Sequence, residues 1–176
     1  APRELLLLAL MTLCWGLNWP IMKFGVQDFP PISFRALAMV GGLPVLWLFA
    51  RAQRVPLSVP REHWRELFVL AMTNMVIWYV LAMYGVKMLS SGRAAILGYT
   101  MPIWVALIGL VVFGERPSRR LGAGVLAAAV GVALLLSSAF TAITGRPLGT
   151  VCMLAAASVW ALGTHLMRRR RQRTHV

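Results

Sequence analysis

The chain has 176 residues, 59% of them hydrophobic and only 13% charged, with a mean hydropathy of +0.73. A soluble domain carries about 25% charged residues, so half of the usual charge is missing and a water-soluble globule is a poor reading. The formal net charge of +13 invites a nucleic-acid partner, but no aromatic platform accompanies the basic run Arg168–Arg173, and none is expected.

Crossing a hydrocarbon core of roughly 30 Å takes about 20 apolar residues in a helix. Six such runs follow one another: Leu5–Met22, Ile32–Ala50, Leu67–Val86, Ala94–Phe113, Leu121–Phe140 and Leu148–Met167. None alternates as barrel strands do, and a helix satisfies its own backbone groups in lipid. The sequence therefore predicts an all-α, polytopic helical membrane protein with six transmembrane helices. The first run continues through Trp15, Asn18 and Trp19, which a cleaved signal peptide would not do. Cys14 and Cys152 both fall inside spans and support neither a disulfide nor a metal site.

Within the first span, Trp15 and Trp19 are four apart and share one helix face, where they either pack or form an aromatic cavity wall for an amphipathic substrate. Asn18 puts an amide where hydrocarbon penalises it, so it must either bond another helix or line a water-filled cavity. Trp19 also suits an interfacial aromatic belt. Lys23 and Arg35 flank the following loop. Each either snorkels to headgroups or serves as an outer gate or counter-charge, and Arg35 has Asp28 as a third option. Gly41, Gly42 and Pro44 are expected to break the second span. In the third, Asn74, Trp78 and Tyr79 stand near mid-membrane as cavity candidates.

Pro102, with Gly98 one turn before it, should kink the fourth span and line the cavity there, and Tyr99 and Trp104 flank that kink as aromatic candidates for substrate contact. Ala123, Ala127 and Gly131 recur every fourth residue in the fifth span and read as a close-packing face. His165, two residues from the end of the sixth span, reads as a neutral interfacial group, and Glu115 as a structural loop carboxylate.

Thirteen Lys and Arg residues lie in the connections on one side and four on the other, with Arg35 left inside a span. Basic short loops stay cytoplasmic, so both termini are expected inside, with the arginines against anionic headgroups. Aligning Trp15 with Trp160 also pairs Leu17 with Leu162, Met22 with Met167, and Lys23 with Arg168. The second copy starts five spans after the first, an odd number, so the two cross the membrane in opposite directions. Inverted repeats of this kind underlie secondary transporters with midplane substrate sites.

Two stretches carry a resemblance to a known family. "CWGLNWPIMKFGVQDFPPISFRALAM" (Cys14–Met39) has Trp-Gly-x-Asn late in the first helix, a Lys, a Pro-containing loop, then an Arg early in the second. "AAILGYTMPIWVALIGLVVFGERPSRRLGAGVLAAAVGVALLL" (Ala94–Leu136) has a Pro-bearing helix closing on Gly-Glu-Arg before a Gly/Ala-rich helix. The chain resembles the EamA-type transporters of the drug/metabolite transporter superfamily.

The resemblance implies ten helices in two inverted halves, and export of amino acids, metabolites or drugs. Residues 1–140 then form the first five-helix repeat, and residues 148–176 the first helix of a second repeat plus a basic cytoplasmic tail. The chain would be half of such a protein, partnered by the lipid bilayer, a small-molecule substrate, and a second five-helix half or a second copy of itself. The alternative is a truncated, non-transporting membrane subunit, or a half-transporter that acts only as an oligomer. All five acidic residues lie outside the predicted spans, and no phosphate loop, catalytic triad or metal-spaced cluster is present. No catalytic residue, cofactor or metal is expected.

Overall fold

The computed structural model describes residues 2–115, 118–137 and 146–173. Helix α1 spans Pro2–Asp28 and α2 spans Pro31–Ala52. The third crossing joins a short 3-10 turn, Arg61–His63, to α3 (Trp64–Ala71), a π-helical segment (Met72–Val76) and α4 (Ile77–Met88). The fourth joins α5 (Ser91–Gly98) to α6 (Met101–Val111). Helices α7 (Arg119–Ser137) and α8 (Pro147–Arg173) follow, and no strand occurs among the described residues.

Five of these helical stretches are long and apolar enough to cross a membrane: Arg3–Asp28, Pro31–Ala52, Arg61–Met88, Ser91–Val111 and Pro147–Arg170. The chain is a polytopic helical membrane protein. Helix α7 covers most of the fifth expected span, whose last residues, 138–140, lie outside the described residues. The long exposed apolar surfaces of α1 and α2, from Leu5 through Leu17 and from Leu37 through Phe49, suit contact with hydrocarbon. On a soluble protein so large a patch would drive aggregation.

Two departures from regular helix have local causes. At Pro102, the second residue of α6, the missing amide cannot donate back one turn, and the ladder breaks at Tyr99–Thr100. The buried Thr100 hydroxyl donates to the Leu97 carbonyl at 2.6 Å across that break. In the π segment the Ile77 amide donates to Met72, five residues back. Thr73 there turns its hydroxyl to the Val69 carbonyl at 2.9 Å, a bond that competes with the regular ladder. The expected break in the second span is absent: α2 runs unbroken through Gly41, Gly42 and Pro44. Pro20 likewise sits inside a continuous α1.

Helix α8 is central, packing on α3, the π segment, α4, α5 and α6. Its inner stripe is Gly149, Met153, Ala157, Ala161 and His165, one residue every fourth position and all buried. Small residues at that spacing let backbones approach closely. On the facing helix a Cβ on Gly85 would lie 2.6 Å from Met153 Cγ and 3.3 Å from the Gly149 carbonyl oxygen, so the missing side chain at Gly85 is what lets Met153 and the α8 backbone approach α4. The core joins this stripe to Trp19, Met22 and Val26 of α1, to Met83 and Val86 of α4, and to Leu97 of α5. Among the described residues the close-packing face expected on α7 meets no neighbour: Ala123 and Ala127 are exposed, and a Cβ at Gly131 would have nothing within 4 Å.

Candidate functional site

A cleft of about 320 Å³ opens between α1, α4 and the start of α6. Met11, Trp15, Asn18 and Met22 of α1 line it at three- and four-residue spacing, which is one helix face. Trp78 and Tyr79 form the facing wall from α4, immediately after the π segment. Trp19, only 5% exposed, closes the floor. Its indole Nε1 donates to the Tyr99 hydroxyl at 3.2 Å, and the two rings meet edge to face at 71° and 5.9 Å. Tyr99 is placed by the break before Pro102. Gly98 lets the indole in, because a Cβ there would lie 2.6 Å from Trp19 Cη2.

Asn18 is half-buried, and among the described residues its amide nitrogen reaches only the Met22 sulfur, at 3.6 Å. Arg35 does not pair with Asp28. It reaches across from α2 to lay its guanidinium on the outer face of the cleft wall, with Cζ 3.3 Å from the Tyr79 ring centroid. Its Nε is buried with no hydrogen-bond partner among the described residues. The cleft therefore offers aromatic walls, one amide and a cation stacked behind an aromatic ring.

The other expected site residues are placed elsewhere. Asn74, in the π segment, donates to the Leu70 carbonyl at 3.1 Å and to Thr73 Oγ1 at 3.2 Å, and packs against Gly163 of α8. Trp104 is half-buried on α6 and does not line the cleft. The Lys23 ammonium donates to the Val86 and Lys87 carbonyls, at 3.0 and 2.9 Å, at the end of α4 where helix carbonyls lack amide partners. Met11, Met22 and Met101 were not foreseen as lining residues. The helical period running from Trp15 would have indicated the first of them.

Pro102 lines a second cleft, of about 400 Å³, between α6, α7 and α8, together with Trp160, Thr164, His165, Glu115 and Arg168. His165 is not interfacial, being 1% exposed. Its Nε2 stands 2.8 Å from the Val105 carbonyl, which can only accept, so this nitrogen donates. Nδ1 makes no hydrogen bond among the described residues and faces Glu115 Oε1 at 3.5 Å. Glu115 is brought there by Gly114, whose left-handed φ of 65° turns the chain so that the Glu115 amide donates to the Gly109 carbonyl at 2.8 Å. Among the described residues no three His, Cys, Asp or Glu side chains are grouped to hold a metal ion.

The long apolar helices define a multi-pass helical membrane protein, and the aromatic-walled cleft lies between them. The chain belongs to the EamA-like transporter family, whose model matches residues 2–137 and so ends before α8. It is 29% identical over 153 residues to an uncharacterized transporter of Bacillus subtilis, YoaV, covering 86% of this chain and 52% of that one. An uncharacterized transporter of Archaeoglobus fulgidus is 31% identical over 166 residues, 92% of this chain and 56% of its own. A probable amino-acid metabolite efflux pump of Escherichia coli is 26% identical over 162 residues, 92% and 52% of the two chains. The chain thus spans about half the length of the curated relatives it matches. No solved structure matches it.

Proposed function

We propose that the chain is one half, plus one helix, of a secondary transporter that exports small organic metabolites, amino acids or drugs across the cytoplasmic membrane by alternating access. The observation that carries this reading is the cleft between α1 and α4, where five residues expected from the sequence, Trp15, Asn18, Trp19, Trp78 and Tyr79, come together from two separate crossings. Aromatic faces hold the apolar part of a solute, the Asn18 amide orients its polar part, and Arg35 behind Tyr79 supplies a counter-charge or an outer gate. The family, and a relative named as a probable amino-acid metabolite efflux pump, point the same way.

The repeat supports a transporter built from two inverted halves, residues 1–140 and a second unit opening at 148. Trp15 and Trp19 of α1 line the first cleft, and the residues that align with them on α8, Trp160 and Thr164, line the second. Equivalent positions of the two copies thus border cavities. The charge bias supports a topology with both termini in the cytoplasm. The test is export of a panel of labelled amino acids and aromatic metabolites from cells expressing the intact gene product, with Asn18→Ala and Trp15→Ala beside it. Export that falls in both variants at unchanged protein level supports the cleft. Export that neither variant alters removes it.

A further inference from the structure

A third cleft, of about 390 Å³, lies at the arginine-rich end of the spans, between α3, the chain after α6, and the end of α8. It plays no part in the transport reading. Arg65, Arg169 and Arg170 line it against a single carboxylate, Glu66. Glu66 is shared: its Oε2 lies 3.3 Å from Arg170 Nε and 4.0 Å from His63 Nδ1. Arg169 lies over the Phe113 ring, its Cζ 4.1 Å from the ring centroid. A guanidinium held there by cation–π attraction still has N–H groups to offer an anion, and its planar fork matches the oxygens of a phosphate. The remaining lining, Val69, Leu70 and Leu166 with the Phe113 ring, is apolar.

A site that is cationic at one end and apolar at the other matches an amphipathic anion. Its depth agrees with this. Trp64, the residue before Arg65, is 61% exposed and has its indole N–H on the Val59 carbonyl at 3.0 Å, the aspect of an interfacial tryptophan. We propose that this cleft is a headgroup site for one anionic glycerophospholipid. The phosphodiester sits between Arg65 and Arg169, and an acyl chain runs along Val69, Leu70 and Leu166. Basic pockets between transmembrane helices hold anionic headgroups by this chemistry. The lipid would tie the third crossing to α8.

The same arginines could take a soluble phosphate, so the test separates the two sources. The full chain, purified in neutral detergent, is titrated with phosphatidylglycerol or phosphatidylcholine, and bound lipid is counted by native mass spectrometry with and without millimolar inorganic phosphate. One phosphatidylglycerol is expected to bind in preference to phosphatidylcholine and to resist phosphate. Arg65→Gln with Arg169→Gln should weaken it about tenfold or more, the scale of one charge-assisted contact. Arg51→Gln with Arg54→Gln, on the same side but outside the cleft, should leave it unchanged. Glu66→Gln removes the competing carboxylate and should tighten binding, a gain that misfolding cannot mimic. Equal loss in both double variants, equal binding of phosphatidylcholine, displacement by phosphate, or weaker binding in Glu66→Gln would each overturn the proposal.

Discussion

Gly98→Ala tests whether the cleft floor is held by contact between α1 and the fourth crossing. The added Cβ would lie 2.6 Å from Trp19 Cη2 and 3.0 Å from Cζ2, about 1 Å inside carbon–carbon contact distance. The indole is buried and rigid, so the ring must move, and that movement strains its hydrogen bond to Tyr99. Overpacking of this kind costs about 1–3 kcal/mol, and the bond adds about 1 kcal/mol if lost. The gain from replacing glycine in a helix is about 1 kcal/mol at most, and Gly98 is the last residue of α5, where little of it applies. The expected net loss is about 1–3 kcal/mol.

Gly92→Ala is the control on the same helix, because a Cβ there meets nothing within 4 Å. Reversible unfolding in mixed micelles, followed by tryptophan fluorescence and by far-ultraviolet circular dichroism, should show Gly98→Ala destabilised and Gly92→Ala unchanged or slightly stabilised. If the two variants unfold alike, Trp19 is not seated against the fourth crossing and the floor of the cleft is wrongly drawn.

Three further outcomes are expected. Ala157→Leu, on the buried stripe of α8, should cost about 1–3 kcal/mol in the same assay, while Ala127→Leu on the exposed face of α7 should stay within about 0.5 kcal/mol. Lys23→Met removes a donor from the Val86 and Lys87 carbonyls and should cost about 1 kcal/mol, visible as lower stability with export intact. Asn18→Ala should show the reverse, lower export with a stability change under about 1 kcal/mol, because among the described residues its amide reaches only the Met22 sulfur.

The spans were legible because lipid imposes a length and a composition that any window of sequence displays. The break before Pro102 was legible because proline lacks a donor wherever it stands. Gly41, Gly42 and Pro44 misled because a continuous α2 absorbs them, as α1 absorbs Pro20. The small-residue spacing of α7 looked like a packing face, yet the face that packs is the Gly149–Ala157–Ala161 stripe of α8. Periodicity shows that a face exists and says nothing of which helix meets it. Arg35 on Tyr79, 44 positions away, and His165 against Val105 and Glu115 are non-local for the same reason. The cleft was half legible: polar and aromatic residues inside spans are conspicuous, whereas its methionines look like any other apolar filling.

Water in the cleft is the most direct test of the transport reading, and the chain supplies its own probe. Cys14 lines the cleft and is exposed, and replacing Cys152 on α8 by Ala leaves it as the single thiol of these 176 residues, any cysteine in the rest of the intact protein being replaced in the same way. A charged, membrane-impermeant thiosulfonate is applied to membranes, open on both sides, that contain the intact Cys152→Ala protein. If the cleft is part of a solute path, Cys14 reacts and Trp15→Ala speeds the reaction. A Cys14 that stays unmodified in membranes but reacts fully once the protein is unfolded would mean a face sealed by lipid or by another helix, and would contradict the account.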